Sequence, residues 1–198
     1  MNKPNNYDAT KGSGSFVPVE LGGHHIVIKQ VSEKQSSTGK NMVVVLFDFA
    51  KNDRQPDYMK NDFDSDTRAD KKWPRSGTEY IVVEDKDGNC SKKFKGFITS
   101  FEKSNKCEAV WGEKFTAQFK NKKIGGVFGE VENEYNGNVT MRHELRYFCS
   151  DDAVEGAKIP NPQYLNGNSP SSTANPAPAE NNNGFMNIPE DAEDEIPF

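Results

Sequence analysis

Cysteine is scarce and scattered. Cys90, Cys107 and Cys149 are the only three, far apart and without C-x-x-C spacing, which argues against a disulfide framework and for three reduced thiols of an intracellular protein. Histidine is equally thin. His24, His25 and His143 stand in strand-like segments without a nucleophile partner, and His24-His25 with a cysteine has no recognised zinc spacing. There is no glycine-rich loop to cradle a phosphate. No apolar run approaches the roughly 18 residues of a membrane span, and the N-terminus lacks a secretory signal pattern. These absences lead us to expect a soluble, cytoplasmic chain that is not an enzyme, takes no cofactor and has no membrane partner. Apolar residues are also few, at 33%, with a mean hydropathy of -0.86, so part of the chain is expected to stay outside any core.

The net charge of -5 conceals an asymmetry. From Asp151 onward there are nine acids and one base, Lys158, a net of -8; residues 1–150 hold 24 Lys and Arg against 21 Asp and Glu, a net of +3. A mildly basic body with an acidic tail is the pattern expected when the body meets a polyanion and the tail meets something basic. The span 92–123 is the most basic, with nine lysines against Glu102, Glu108 and Glu113, a local net of +6.

Residues 1–13 are polar and aperiodic, and are read as a flexible arm. From Phe16 the pattern is strand-like, through Leu21 and, after Gly22-Gly23, on to Val31. The cluster Ser36-Ser37-Thr38-Gly39-Lys40 predicts a turn, and Met42 to Phe49 the second strand of a hairpin, apolar enough to be buried on both faces. Lys51 to Lys72 interleaves acids and bases and is expected to be a long mobile loop. Its Asp62-x-Asp64-x-Asp66 fails as a calcium loop, because Thr67 and Trp73 stand where glycine and an acid are needed. Glu79 to Glu84 reads as a third strand, closed by a turn at Asp85–Asn89. Ser91 can cap a helix whose Phe94, Phe97, Ile98 and Phe101 form one apolar stripe. Alternation over Phe115–Phe119 suggests a strand, and Ile124 to Val131 another, its glycines marking a bend or a close backbone approach. Asn136-Gly137 predicts a hairpin turn into a last strand, Val139 to Phe148, with Val139, Met141, His143, Leu145 and Tyr147 on one side. From Asn166 a polar linker runs to an acidic run from Glu190 that ends Ile196-Pro197-Phe198; residues 166–198 are expected to be disordered.

Taken together, the pattern is mainly β: a five-stranded Greek-key barrel of OB-fold type over 14–165, with one helix between strands 3 and 4, a long polar loop at 51–72 and a disordered acidic tail. Sequence-tolerant contact with a single nucleic-acid strand needs cations for phosphates and exposed rings for bases. The candidates are Lys40, Arg75, Lys92, Lys93, Lys95, Lys120, Lys122, Lys123, Arg142 and Arg146, with Trp73, Tyr80 and Trp111 as stacking rings and Phe47, Tyr58 and Phe148 behind them.

Two features carry a resemblance. The ending, acids followed by Ile196-Pro197-Phe198, resembles the C-terminal tip of bacterial and phage single-stranded-DNA-binding proteins. Lys92-Lys93-Phe94-Lys95-Gly96-Phe97-Ile98, Lys122-Lys123-Ile124-Gly125-Gly126-Val127-Phe128-Gly129-Glu130 and the early Ser37–Met42 hairpin are similar to phage members of that family from Gram-positive hosts. The resemblance implies a protein of a bacterial host cell that coats and protects single-stranded DNA in replication, recombination or repair. It also implies that Asp194, Glu195, Ile196, Pro197 and Phe198 recruit partner proteins of those processes. The sequence leaves the oligomeric state open, a homo-oligomer included. Two other readings stand beside this one: a β-barrel adapter of the replication machinery that does not itself bind DNA, and a metal-dependent nuclease using the aspartates at 62–66.

Overall fold

β-Branched and aromatic residues at alternate positions drive the first two strands. β1 (Gly22–Gln35) and β2 (Asn41–Phe49) form an antiparallel hairpin in the computed structural model, which describes residues 3–5, 7, 8 and 17–165. The chain divides into Met1–Gly167 and Asn168–Phe198. Most of the 1–13 arm, Phe16 and all of the 166–198 linker and tip lie outside the described residues. The expected turn joins the hairpin, with Ser36 Oγ accepting the Lys40 N–H at 3.0 Å and Gly39 at φ 78°. Val43, Val44, Val45, Phe47 and Phe49 are all buried, so β2 is covered on both faces as its composition suggested.

β3 (Thr78–Val82) pairs with β2, β4 (Lys123–Tyr135) with the other side of β1, and β5 (Asn138–Cys149) with β4, every pair antiparallel. The sheet order is β3-β2-β1-β4-β5. It is an open sheet: among the described residues β3 and β5 are its unpaired edges, so no hydrogen-bonded seam closes the barrel that the sequence suggested. Side-chain hydrogen bonds and packing fill the seam instead. The segment 17–20, read from sequence as strand, runs along it as an irregular stave. Tyr58 Oη donates to the Val17 carbonyl (2.6 Å), Gln55 Nε2 to that of Pro18 (3.0 Å) and His143 Nδ1 to that of Val19, whose side chain enters the core.

Three local expectations are corrected. The 51–72 excursion is not all loop: it carries helix α1 (Tyr58–Ser65), giving two α-helices where one was expected. Met59, fully buried, anchors α1, and Asp48 Oδ1 accepts the Met59 N–H at 3.0 Å, a tertiary cap that no local pattern reveals. Residues Thr116–Phe119 form a 3-10 turn, not a strand: Phe115 and Phe119 are buried, but Ala117, which a strand would turn inward with them, is exposed. In β5 the register shifts opposite Val127/Phe128, so Leu145 and Phe148 both turn inward while Tyr147 stays 44% exposed. A bulge reverses the alternation expected there.

The helix α2 (Lys92–Asn105) follows its sequence closely. Ser91 Oγ accepts the Phe94 N–H at 3.1 Å, and Phe94, Phe97, Ile98 and Phe101 face inward. Phe97 and Phe101 meet Phe119 at 5.2 and 4.6 Å between ring centroids, and Phe97 meets Phe148 at 5.1 Å. Phe47 and Phe148, second-line stacking candidates, are core residues in this packing.

After β5 the chain doubles back over the outer face of the sheet as a strap, residues 150–165. Gln163 bridges β4 beside Val131, exchanging hydrogen bonds with Glu130 and Glu132. The strap comes so close that a Cβ on Gly23 would lie 2.3 Å from the Val154 carbonyl oxygen, and one on Gly129 2.6 Å from Pro160. Close approach therefore accounts for these glycines. Gly23→Ala is expected to destabilise the protein by roughly 1–3 kcal/mol, whereas Gly96→Ala in α2, where nothing lies within 4 Å, should stabilise it by about 0.5–1 kcal/mol. Thermal unfolding followed by circular dichroism checks both signs.

Candidate nucleic-acid interface

Inward-facing residues of β1 and β2, such as Ile28, Val31, Val45 and Phe47, build the core, so their neighbours in sequence form the outer face. Strand register lines these neighbours up in rows. Lys123 lies beside Val27 and Asp48, Gln30 beside Leu46 and Thr78, Ser32 beside Val44 and Tyr80, and Lys34 beside Met42 and Val82. The rows make a band across four strands with cations at both ends. At one end the turn Lys120–Lys122 lies against β1, where Asn121 donates to the Ile28 carbonyl and Ile28 to that of Lys122. At the other end Tyr80 is 44% exposed, with the Arg75 guanidinium 5.5 Å from its ring centroid. A second tie holds Arg75, whose Nη1 donates to the Thr78 carbonyl at 2.7 Å.

Lys29 belongs to this band and was not singled out from sequence. It is the bulged residue of β1, where the register slips between Ile28 and Gln30. The signal was present: Ile28 and Val31 are both buried although three apart, which simple alternation cannot satisfy. Its Nζ lies 3.6 Å from Oδ2 of Asp48, a fully buried carboxylate oxygen with no hydrogen-bond partner, so Asp48 fixes where this cation stands.

The other sequence candidates scatter. Lys40 sits exposed in the β1–β2 turn; Lys92 and Lys95 project from α2, and Lys93 pairs with Glu79 at 2.5 Å. Trp73 is half-buried, its Nε1–H donating to the carbonyls of Phe47 and Gly77, both at 3.1 Å, so it anchors the chain entering β3. Arg146 is also half-buried and holds the strap through the carbonyls of Glu130 and Asn161. Arg142 is exposed and, with Arg75, Glu79 and Glu144, lines a cleft of about 540 Å³ in the β3–β5 seam. That mixture of signs suits a strand's phosphates less well than the outer band does. Trp111 lies on a groove at the far end of the β1–β2 hairpin.

Of the three aspartates at 62–66, Asp64 pairs with Lys60 and Asp66 with Arg68. Among the described residues no group of three His, Cys, Asp or Glu side chains is placed to hold a metal ion. The two adjacent histidines instead make a clasp. His24 is fully buried, donating from Nδ1 to Asp53 at 2.9 Å and stacking on Phe49 at 4.2 Å. His25 donates its backbone N–H to Asp53 at 2.8 Å and pairs through Nδ1 with Asp151 at 2.6 Å. The clasp thus ties the start of the 51–72 excursion and the start of the strap to β1.

Burial works against a charged His25, but the hydrogen bond and charge of Asp151, with Glu155 and Asp53 beyond, outweigh it and raise its pKa above 6.5. A group whose pKa is raised on folding contributes stability that is full below the unfolded value and is lost as pH climbs through the folded one. The melting temperature of wild type relative to His25→Gln should therefore be highest near about pH 6 and shrink by about pH 8.5. A pH-independent difference would show that the proton on His25 plays no part in the clasp.

Compared with models of known protein families the chain matches none, and compared with the curated proteins it again matches none.

Proposed function

We propose that this chain is a single-stranded-DNA-binding protein of OB-fold type, which coats and protects single-stranded DNA in replication, recombination or repair. The observation that carries the reading is the strand order β3-β2-β1-β4-β5 with α2 joining β3 to β4. That is the connectivity of a small five-stranded Greek-key barrel left open along one seam, and partly open barrels of this kind bind oligonucleotides on the face of their second and third strands. Here that face carries Tyr80 with Arg75 at one side and Lys29, Lys122 and Lys123 at the other. Cations spaced across a sheet and an exposed ring among them are the means by which a protein holds a single strand without reading its sequence. The resemblance of the chain's lysine- and glycine-rich stretches to phage single-stranded-DNA-binding proteins points the same way.

Fluorescence anisotropy with labelled oligo-dT, and duplex as the control, tests the reading. Affinity should favour the single strand and fall with salt, log K against log [salt] having a slope of roughly -0.7 for each phosphate neutralised. Replacing Lys120, Lys122 and Lys123 by Gln should weaken binding and flatten that slope by about 0.7 per engaged lysine. The melting temperature should hold, since all three side chains are exposed. Equal affinity for duplex and single strand, or indifference to salt, would overturn the reading.

The tip at Asp194–Phe198 is proposed to recruit a replication, recombination or repair protein, Phe198 entering an apolar slot and the acids speeding encounter. Ile196→Ala with Phe198→Ala should abolish capture of such proteins from host lysate while leaving oligo-dT affinity unchanged. Capture that survives the double change would refute a role for the apolar tip.

A further inference from the structure

We propose that the groove beneath Trp111 is a second stacking site, which takes a base of the same DNA strand after it leaves the Tyr80 end of the outer band. The inference rests on the single-strand reading above and adds a path and a footprint to it.

Three observations carry it. The first is continuity. The groove, about 750 Å³, lies at the end of the β1–β2 hairpin and is lined by Ser32, Lys34 and Met42 of the outer face and by the core residues Val31, Val43 and Phe94. Glu33 and Glu113 are also on its walls. Ser32 shares a row with Val44 and Tyr80, and Lys34 and Met42 form the next row along the same face with Val82. A strand crossing at Tyr80 and turning towards the β1–β2 hairpin reaches this groove by rounding the sheet at Met42, where Lys34 and Lys40 are exposed.

The second is the state of the ring. Trp111 is 64% exposed, the most open tryptophan or phenylalanine among the described residues. One of its faces lies on Phe115, centroids 5.2 Å apart and planes within 12°. Phe94 lies 6.2 Å away, tilted by 59°, and a base placed on the exposed part of the ring would extend a stack already begun inside the protein. The indole N–H makes no hydrogen bond among the described residues, in contrast to that of Trp73.

The third is rigidity. Gln118 laces the loop that carries Trp111: its Oε1 accepts the Val110 N–H at 2.8 Å, and its Nε2 donates to the carbonyls of Val110 (2.7 Å) and Phe115 (2.8 Å). Gly112, at φ 91°, turns the chain straight after the tryptophan. The ring is thus held out on a fixed loop, and stacking on it carries little ordering cost.

Tryptophan emission and its quenching by acrylamide, measured on the full-length protein, test the proposal because the chain has only Trp73 and Trp111. Two oligo-dT probes are used, of about 4 and about 15 nucleotides, near the ends of the range of site sizes for one such fold. The long probe should change Trp emission and protect it from acrylamide. The short probe should do so far less, and the effect should vanish in Trp111→Phe, whose folding circular dichroism confirms. Trp111→Ala should weaken the long probe by roughly 5- to 150-fold, the range for losing one base stack, and leave the short one unchanged. Gln118→Ala, which keeps the ring but frees its loop, should give a smaller loss of the same kind. If anisotropy shows the long probe bound while Trp111 emission and the Trp111→Ala affinity stay as they were, the groove is off the path and the single-strand reading stands without it. If neither probe binds, both the groove and the reading fall.

Discussion

An open sheet keeps its curl only if something other than backbone hydrogen bonding draws its edges together, and here that is one aromatic core. Phe47 of β2 meets Phe128 of β4 and Phe148 of β5, both at 6.3 Å and in edge-to-face fashion. Phe97 and Phe101 of α2, with Phe119 behind them, close the underside. Each such ring contributes roughly 1.5–3 kcal/mol by burial, and more through offset and edge-on contacts. β4 holds β5 by backbone pairing. β3 and β5 exchange no hydrogen bonds, so the approach of these two edges depends on this ring packing and on the stave at residues 17–20.

The same economy of apolar residues shapes the surface. With 33% hydrophobic residues there is material for one core face and little else, so the outer face of the sheet is covered by polar devices. The strap covers β4 and part of β1 through backbone bridges and glycine contacts, and the His24–His25–Asp53–Asp151 clasp holds it down. Helix α1 covers the end of β2, with Asp48 as its cap. On this face Lys122 and Lys123 at one end and Tyr80 at the other keep exposed side chains, Lys29 is partly exposed between them, and the row positions Asp48, Val44 and Thr78 are buried. The place of these exposed groups is set by what covers everything else.

Much of the fold was legible because it rests on local periodicity. The hairpin at 36–40, the Ser91 cap, the phenylalanine stripe of α2 and the Asn136-Gly137 turn are each decided within a few residues, and each stands where the sequence put it. The glycines of β4 also marked a close approach, although not what approaches. Errors arose where one local pattern fits two structures. Phe115 and Phe119 satisfy a strand's alternation and a helical turn's spacing alike; both rings pack against α2 while Ala117 between them stays exposed, which is the turn's pattern and not the strand's.

The candidate site divides along the same line. Residue types and their charge were determined by the sequence alone: a basic span at 92–123, a tyrosine next to an arginine-bearing turn, and an acidic run closed by Ile-Pro-Phe. Which of these residues share a surface was decided only by strand register, since the rows joining Lys123, Ser32, Val44 and Tyr80 connect positions tens of residues apart. Register also drew in Lys29 through a bulge and set Trp73 and Arg146 apart as structural ties. A chain can specify its turns and helix caps by contacts within a few residues, but a surface assembled from four strands exists only once their hydrogen bonds have chosen partners.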